Sequence, residues 1–306
     1  MNETALLVNT ALASGTTLAL AALGLLINER AGVLNLGAEG MMLVAAVAGF
    51  AVAFTTGSDV LGFGAAALAG AALAAVFGLL VIFLNTNQYA TGLALSLFGY
   101  GLSAFVGVGM VGKSLSAREQ HAIPVLSDIP FVGPALFSHH PMVYVAMGLT
   151  LAVAWFFYRT RSGLLLRAIG ENPEPAHALG YPVRLIRLGA VCAGGALCGL
   201  AGAYISLVTA PLWVQGLTAG RGWIALALTV FATWRPARAL LGAYLFGGVT
   251  VLQLNLQAQG VAVSSHLLTM LPYVATIVVL ALISRNAAFI RLNMPASLGK
   301  PFRPGS

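Results

Sequence analysis

The chain has 306 residues, 59% of them hydrophobic and only 8% charged, with a formal net charge of +7. An average soluble domain is about 25% charged, so a water-soluble fold of this size could not be covered, and repeated apolar runs between short polar breaks make the bilayer the solvent. The basic residues fall in the loops between those runs, which points to membrane topology and not to a nucleic-acid partner.

Lipid satisfies no backbone hydrogen bonds, which leaves a helical bundle or a closed barrel. Leu61 to Phe83 is continuous in Ala, Leu, Val and Gly and has none of the period-two alternation of a barrel strand. The expected fold class is therefore an all-α integral membrane protein. The first run, Ala5 to Ile27, lacks a positive flank and is too long for a secretory signal, so it reads as a retained span. Further spans are predicted at Met41–Phe54, Leu61–Phe83, Tyr89–Val111, Met142–Tyr158, Leu188–Val208, Trp223–Trp234, Ala239–Leu256 and Leu267–Ser284. That makes nine, within a range of about eight to ten.

Two of these spans are short. Met41–Phe54 and Trp223–Trp234 offer about 21 Å and about 18 Å of helix against a hydrocarbon core of roughly 30 Å. Each follows a glycine-rich polar segment, Val33 to Gly40 and Gly216 to Gly222, expected to be non-helical backbone lining protein or water. Ala38-Glu39-Gly40-Met41-Met42 matches Gly220-Arg221-Gly222-Trp223-Ile224 in character: small, charged, glycine, bulky, bulky. The spans that follow run in opposite directions, which is the signature of an inverted repeat with a binding path near the midplane. Glu39 and Arg221 either line that path or brace the broken helices. Asn35, Asn87 and Gln88 join them as candidate path residues, although amides also cap helices and tie helix pairs together.

Between the spans, Gly107 to Ser114 fits the phosphate-loop pattern GxxxxGK[ST] letter for letter. Such a loop must leave a strand and open a helix, whereas this one ends a span, so ATP binding is not expected and Lys113 reads as an interfacial anchor. His121, His139, His140 and His266 lie on predicted outer loops, and no cluster has zinc-ligand spacing. No metal, cofactor or catalytic constellation is expected. Cys192 and Cys198 sit six residues apart in one apolar run, on different helix faces, and read as small packing residues. Gly194, Gly195, Gly199 and Gly202 form a face for close helix approach.

Orientation follows the basic loops. Arg159, Arg161, Arg167, Arg184 and Arg187, the turn with Arg235 and Arg238, and the tail with Arg285, Arg291, Lys300 and Arg303 fall on one side, expected to be cytoplasmic. The loop Gly112 to Pro141 and the N-terminus are then outside. In the cytoplasmic loop 159–187, the prolines after Asn172 suit a first helical turn and Gly180 suits a helix end. A short helix carrying Ala176 and Ala178 is predicted there, a knob for a partner's groove.

At this loop the sequence resembles a known family. Arg167-Ala-Ile-Gly170-Glu171-Asn172-Pro173, followed by Ala176 and Gly180, resembles the ATPase-coupling segment of ABC permeases of the branched-chain amino acid, simple-sugar and nucleoside group. Glu29-Arg-Ala-Gly-Val-Leu-Asn-Leu-Gly-Ala-Glu-Gly-Met-Met, Asn87-Gln88 before Gly92-Leu-Ala-Leu, and Gly220-Arg-Gly-Trp-Ile-Ala-Leu-Ala-Leu with Trp234-Arg-Pro look like its nucleoside branch. The resemblance implies a type II importer permease fold with an inverted pseudo-repeat over residues 1–284 and a cytoplasmic tail at 285–306. It implies a second homologous permease, a cytoplasmic ABC ATPase and an extracytoplasmic substrate-binding lipoprotein as partners, in a bacterial cytoplasmic (inner) membrane. The implied cargo is a purine nucleoside or related solute, with simple sugars or branched-chain amino acids as the alternative. Pro175 and His177 depart from the family pattern. An ion-coupled secondary transporter would need acidic or histidine relays within spans, for which only Glu39 is a candidate.

Overall fold

A computed structural model of the chain describes residues 3–116, 121–122, 132–259, 264, 267–268, 270–284 and 293–303. In chain order, α1 is Glu3–Arg30 and α2 is Ala38–Thr56; α3, Asp59–Gly78, continues as a π-helical stretch, Leu79–Phe83. Next, α4 is Gln88–Gly107 with a 3-10 turn at Val108–Met110, β1 is His121–Ala122, α5 is Val132–Leu136 and β2 is Ser138–His139. Then come α6, Pro141–Arg159, α7, Arg161–Glu171, α8, Pro173–Ala178, and α9, Val183–Tyr204, with a second π-helical stretch at Ile205–Thr209. Last are α10, Arg221–Phe231, α11, Pro236–Ala258, and α12, Leu271–Ser284. Seven of these, α1, α2, α3, α4, α6, α9 and α11, are long and apolar enough to cross a membrane; α10 and α12 are shorter. Helices thus occupy all nine predicted positions, while Arg285, Arg291 and His266 lie outside the described residues.

Local chemistry sets the boundaries. Asn87 Oδ1 accepts from the N–H groups of Tyr89 and Ala90 to start α4, and His140 Nδ1 accepts from Met142 N–H with Pro141 in the first turn of α6. Lipid-facing positions stay apolar, with Leu97, Phe105 and Leu151 each more than 70% exposed. Buried inside are α1 and α9, which pack on each other and on α2, α3, α10 and α11.

The predicted glycine face of α9 is what permits this. A Cβ on Gly194 would fall 2.4 Å from the carbonyl oxygen of Gly24 in α1, one on Gly195 2.2 Å from Ala74 Cβ in α3, and one on Gly202 2.1 Å from the Met42 carbonyl oxygen in α2. Three neighbours therefore approach α9 at backbone distance, where dispersion contacts hold helices together without a hydrophobic driving force.

The two ends of the bundle differ. At one, Asn9 Nδ2 donates to the carbonyls of Pro134 (2.8 Å) and Ser138 (3.1 Å), and β1 pairs with β2. At the other, which we call the basic end, Arg30 Nε and Nη2 donate to the Trp234 carbonyl at 3.1 and 3.0 Å, and α7 and α8 lie across the helix ends. Residues 293–303 fold back onto them. Ser297 N–H donates to the Gly170 carbonyl (3.0 Å), Ala296 N–H to Glu171 Oε2 (3.2 Å), and Phe302 packs with Ile169, Ala176 and Val183. The part of the expected tail that is described is thus one packed unit with α7 and α8.

The phosphate-loop look-alike ends α4 and turns into a bridge between Ser114 and Leu212, with a helix and not a strand before it and, among the described residues, no helix opening at its end. Lys113 places its ammonium 5.1 Å from the centre of the Phe54 ring, an interfacial cation–π contact.

Candidate translocation path and coupling segment

Between α1 and α2 the chain climbs beside α4 without helical hydrogen bonds. Buried backbone polar groups must be paired somewhere, and side chains do it here. Gln88 Oε1 accepts from Leu34 N–H (2.8 Å), Asn35 Oδ1 from Gly37 N–H (2.9 Å), and Ser96 Oγ donates to the Leu36 carbonyl (2.8 Å). Asn35 is fully buried and Gln88 nearly so. Asn87 spends its oxygen on the cap of α4. Asn35 and Gln88 thus hold the broken backbone in place, and Asn87 holds the start of α4.

The climb ends at mid-depth. Gly40 packs on Leu95, Ser96 and Gly99, positions about 10 to 17 Å along the roughly 30 Å of α4. A second break arrives from the opposite end: after the bridge at Leu212 the buried Trp213 anchors the chain, and left-handed residues Gly216, Ala219 and Gly220 turn it into α10. At eleven residues, or about 16 Å, α10 reaches only from mid-depth to the basic end.

The two breaks meet at Glu39. Its Oε1 accepts from Thr218 Oγ1 (2.5 Å) and Gly220 N–H (2.8 Å), and its Oε2 accepts from Gly222 N–H (2.6 Å). Gly220, the cap position of α10, has no side chain to offer, so a carboxylate 181 residues away in sequence caps the helix. Glu39 also lies in the first turn of α2. The carboxylate thus faces the positive ends of two oppositely directed helices, where a negative charge is favoured. Gly222 allows the approach, since its Cβ would lie 2.7 Å from Glu39 Cα.

One expectation about this region changes. At 19 residues, or about 28 Å, α2 is longer than the predicted Met41–Phe54, whereas α10 has eleven residues. The polar Ala38-Glu39-Gly40 forms the first turn of α2, because the acid that looked like an interruption is paired across the break.

Beside the break, Arg221 lines a cavity of about 300 Å³ with Ser14, Thr250, Gln253 and Tyr273. Tyr273 Oη donates to the Ala219 carbonyl (3.0 Å). A guanidinium, an amide and hydroxyls suit a polar, hydroxyl-bearing solute. Thr250, Gln253 and Tyr273 were invisible as candidates, since single polar residues within apolar runs are commonplace.

At the basic end, Asn172 Oδ1 accepts from Glu174 N–H (3.1 Å) to cap α8 with Pro173 in its first turn, and Gly180, at φ +86°, ends the segment. The predicted short helix is present, with a different outward face. Ala176 is buried against Ile169, Val183 and Phe302, so it is not the knob; Pro175, Ala178 and Leu179 point outward, Leu179 with 78% of its surface exposed. Gly170 also faces inward, its Cβ position 2.1 Å from the Arg30 carbonyl oxygen. Arg167 lies over the Tyr158 ring at 5.3 Å. Arg187 Nη2 donates to Ser297 Oγ (2.8 Å), next to Gly32 at φ +83°. Helices α7 and α8, the returning tail and the α1–α2 break thus share one junction.

Residues 7–283 match the family described as branched-chain amino acid transport system / permease component. The chain belongs to this family of ABC transporter permeases. The permease is 44% identical to the putative glucose ABC transporter permease protein TsgC13 of Haloferax volcanii, over 97% of each chain. It is 31% identical to the nucleoside ABC transporter permease protein NupC of Lactococcus lactis, over 92% of this chain and 93% of that one. The guanosine ABC transporter permease protein NupQ of Bacillus subtilis is likewise 31% identical, over 94% and 93%. No solved structure matches the permease. Its all-α, multi-pass architecture, with two breaks meeting head to head, is the type II importer permease fold with an inverted pseudo-repeat.

Proposed function

We propose that the permease is one membrane half of an ATP-driven importer for purine nucleosides or related solutes, and that the Glu39 junction is its gate. The observation that carries the gate is the carboxylate shared by two broken segments at mid-depth. Irregular backbone within a membrane is tolerated where it lines a cavity, and the cavity of Arg221, Thr250, Gln253 and Tyr273 lies alongside. In this reading the basic end is cytoplasmic, an ABC ATPase docks on the outward face of α8 around Leu179, and a second, related permease completes the path. An extracytoplasmic binding lipoprotein delivers the solute, in a cytoplasmic membrane.

The coupling route follows the contacts. Movement of α7 and α8 shifts Gly170 against the end of α1, Gly32 hinges, and the climb to Glu39 moves with it. Separating α2 from α10 exchanges three hydrogen bonds of Glu39 for solvent or solute. This chain supplies no chemistry; the work comes from ATP on a partner.

The signature segments around Glu39 and Arg221, together with the relatives named for nucleosides and guanosine, support the nucleoside reading. The relative named for glucose favours a simple sugar as the second reading. A binding lipoprotein co-purified with the importer discriminates them: purine nucleosides should raise its melting temperature and glucose should not. The converse would transfer the assignment to sugars.

A further inference from the structure

The basic end holds a cavity of about 670 Å³ that transport leaves without a role. Arg30 of α1, Tyr158 of α6, Arg167 and Glu171 of α7, and Arg235 and Arg238 at the start of α11 line it. Four guanidinium groups thus face one carboxylate, and Glu171 is already accepting from Ala296 N–H.

These cations are held in place. Arg30, only 9% exposed, is fixed by its two bonds to the Trp234 carbonyl, and Arg238 Nη1 donates to Thr233 Oγ1 (3.0 Å). Arg167 is braced on the Tyr158 ring, and its Nε is buried with no hydrogen-bond partner among the described residues. The 23-residue α11 begins here without a side-chain cap, so its positive dipole end adds to the same potential. Like charges gathered at a membrane boundary repel one another, and Glu171 is the one acidic residue among those lining the cavity.

We propose that this cavity binds a phosphate group, carried by an anionic phospholipid of the adjacent leaflet or by a soluble phosphate. Guanidinium groups bind phosphate oxygens in bidentate pairs, and basic pockets between spanning helices are suited to lipid headgroups. Bound there, the anion would tie α7 to the start of α11.

The test uses the full chain in detergent, with phosphatidylglycerol, phosphatidylcholine or inorganic phosphate added separately, and reads adducts by native mass spectrometry and melting temperature. The wild type should retain phosphatidylglycerol about tenfold more than phosphatidylcholine, the size expected from one or two charged hydrogen bonds. R235Q, at an exposed position, and R167Q should lose that preference, while R161Q, on α7 but outside the cavity, should keep it. Stabilisation by inorganic phosphate alone, lost in R235Q but not R161Q, would assign the site to a soluble phosphate. Equal retention of both lipids with no phosphate effect, or equal losses in R235Q and R161Q, would overturn the proposal.

Discussion

Replacing Glu39 by Gln changes a few atoms and attacks the junction directly. The carboxylate accepts three hydrogen bonds, from Thr218, Gly220 and Gly222, divided between its two oxygens. An amide keeps one oxygen and turns an NH₂ toward the remaining donor, so at least one charge-assisted bond is lost. At about 1.5 to 3 kcal/mol each, that raises the open population of the junction roughly 10- to 150-fold. Glu39→Ala strands all three donors and should open it further. Hydrogen–deuterium exchange in lipid nanodiscs should show faster exchange across 216–224 in Glu39→Gln, and faster still in Glu39→Ala, with α3 and α9 unchanged. Equal exchange in wild type and both variants would refute the reasoning.

Gly195→Val should lower the thermal stability of the purified permease by about 1 to 3 kcal/mol or more, since its Cβ would sit 2.2 Å from Ala74 Cβ. Gly64→Ala, with open space around it, should not; equal melting temperatures would contradict this packing. Leu179→Asp should weaken ATPase binding about tenfold or more in a pull-down, by placing a charge in an apolar contact, without changing the fold; unchanged binding would remove Leu179 from the docking face. Burial holds the His139 imidazole below its usual value of 6.5, opposed by its bond to the Ala135 carbonyl. The opened hairpin then binds a proton the folded one does not, so its stability should fall as pH drops through 6.5. Exchange protection of residues 132–139, corrected for intrinsic rates, should decrease between pH 7.5 and 5.5 and become pH-independent in His139→Gln; persistence of the trend in His139→Gln would assign it to another group.

Spans were legible because lipid leaves little freedom: apolar runs long enough to cross had to be helices, and their ends fell within a few residues of those predicted. The head-to-head repeat was also visible, since Ala38-Glu39-Gly40 and Gly220-Arg221-Gly222 keep the small residues that close approach demands. What the sequence hid depends on distant partners. Glu39 looked like a polar interruption because its three donors lie about 180 residues away. The bracing by Asn35 and Gln88 was hidden because the backbone groups they satisfy appear only once the chain has left the helix. Ala176 looked like a surface knob, but the returning Phe302 packs with it, and Leu179 is the exposed apolar side chain. The basic cavity was hidden because its arginines come from α1, α7 and α11, and only the fold gathers them.

The central claim is that α2 and α10 part at Glu39 during each transport cycle. It is tested most directly with the assembled importer in proteoliposomes, its permease carrying Cys192→Ser and Cys198→Ser with Ala38→Cys and Ala219→Cys, which flank Glu39 and its donors in sequence and leave them intact. A short bis-methanethiosulfonate cross-linker would join the two new thiols through disulfides, with methanesulfinate as leaving group, and ATP-driven uptake of radiolabelled guanosine would be followed, with glucose run in parallel. Cross-linking should abolish uptake of the transported solute and reduction should restore it to the level of the untreated double-cysteine variant. Undiminished uptake by fully cross-linked permease would contradict the account.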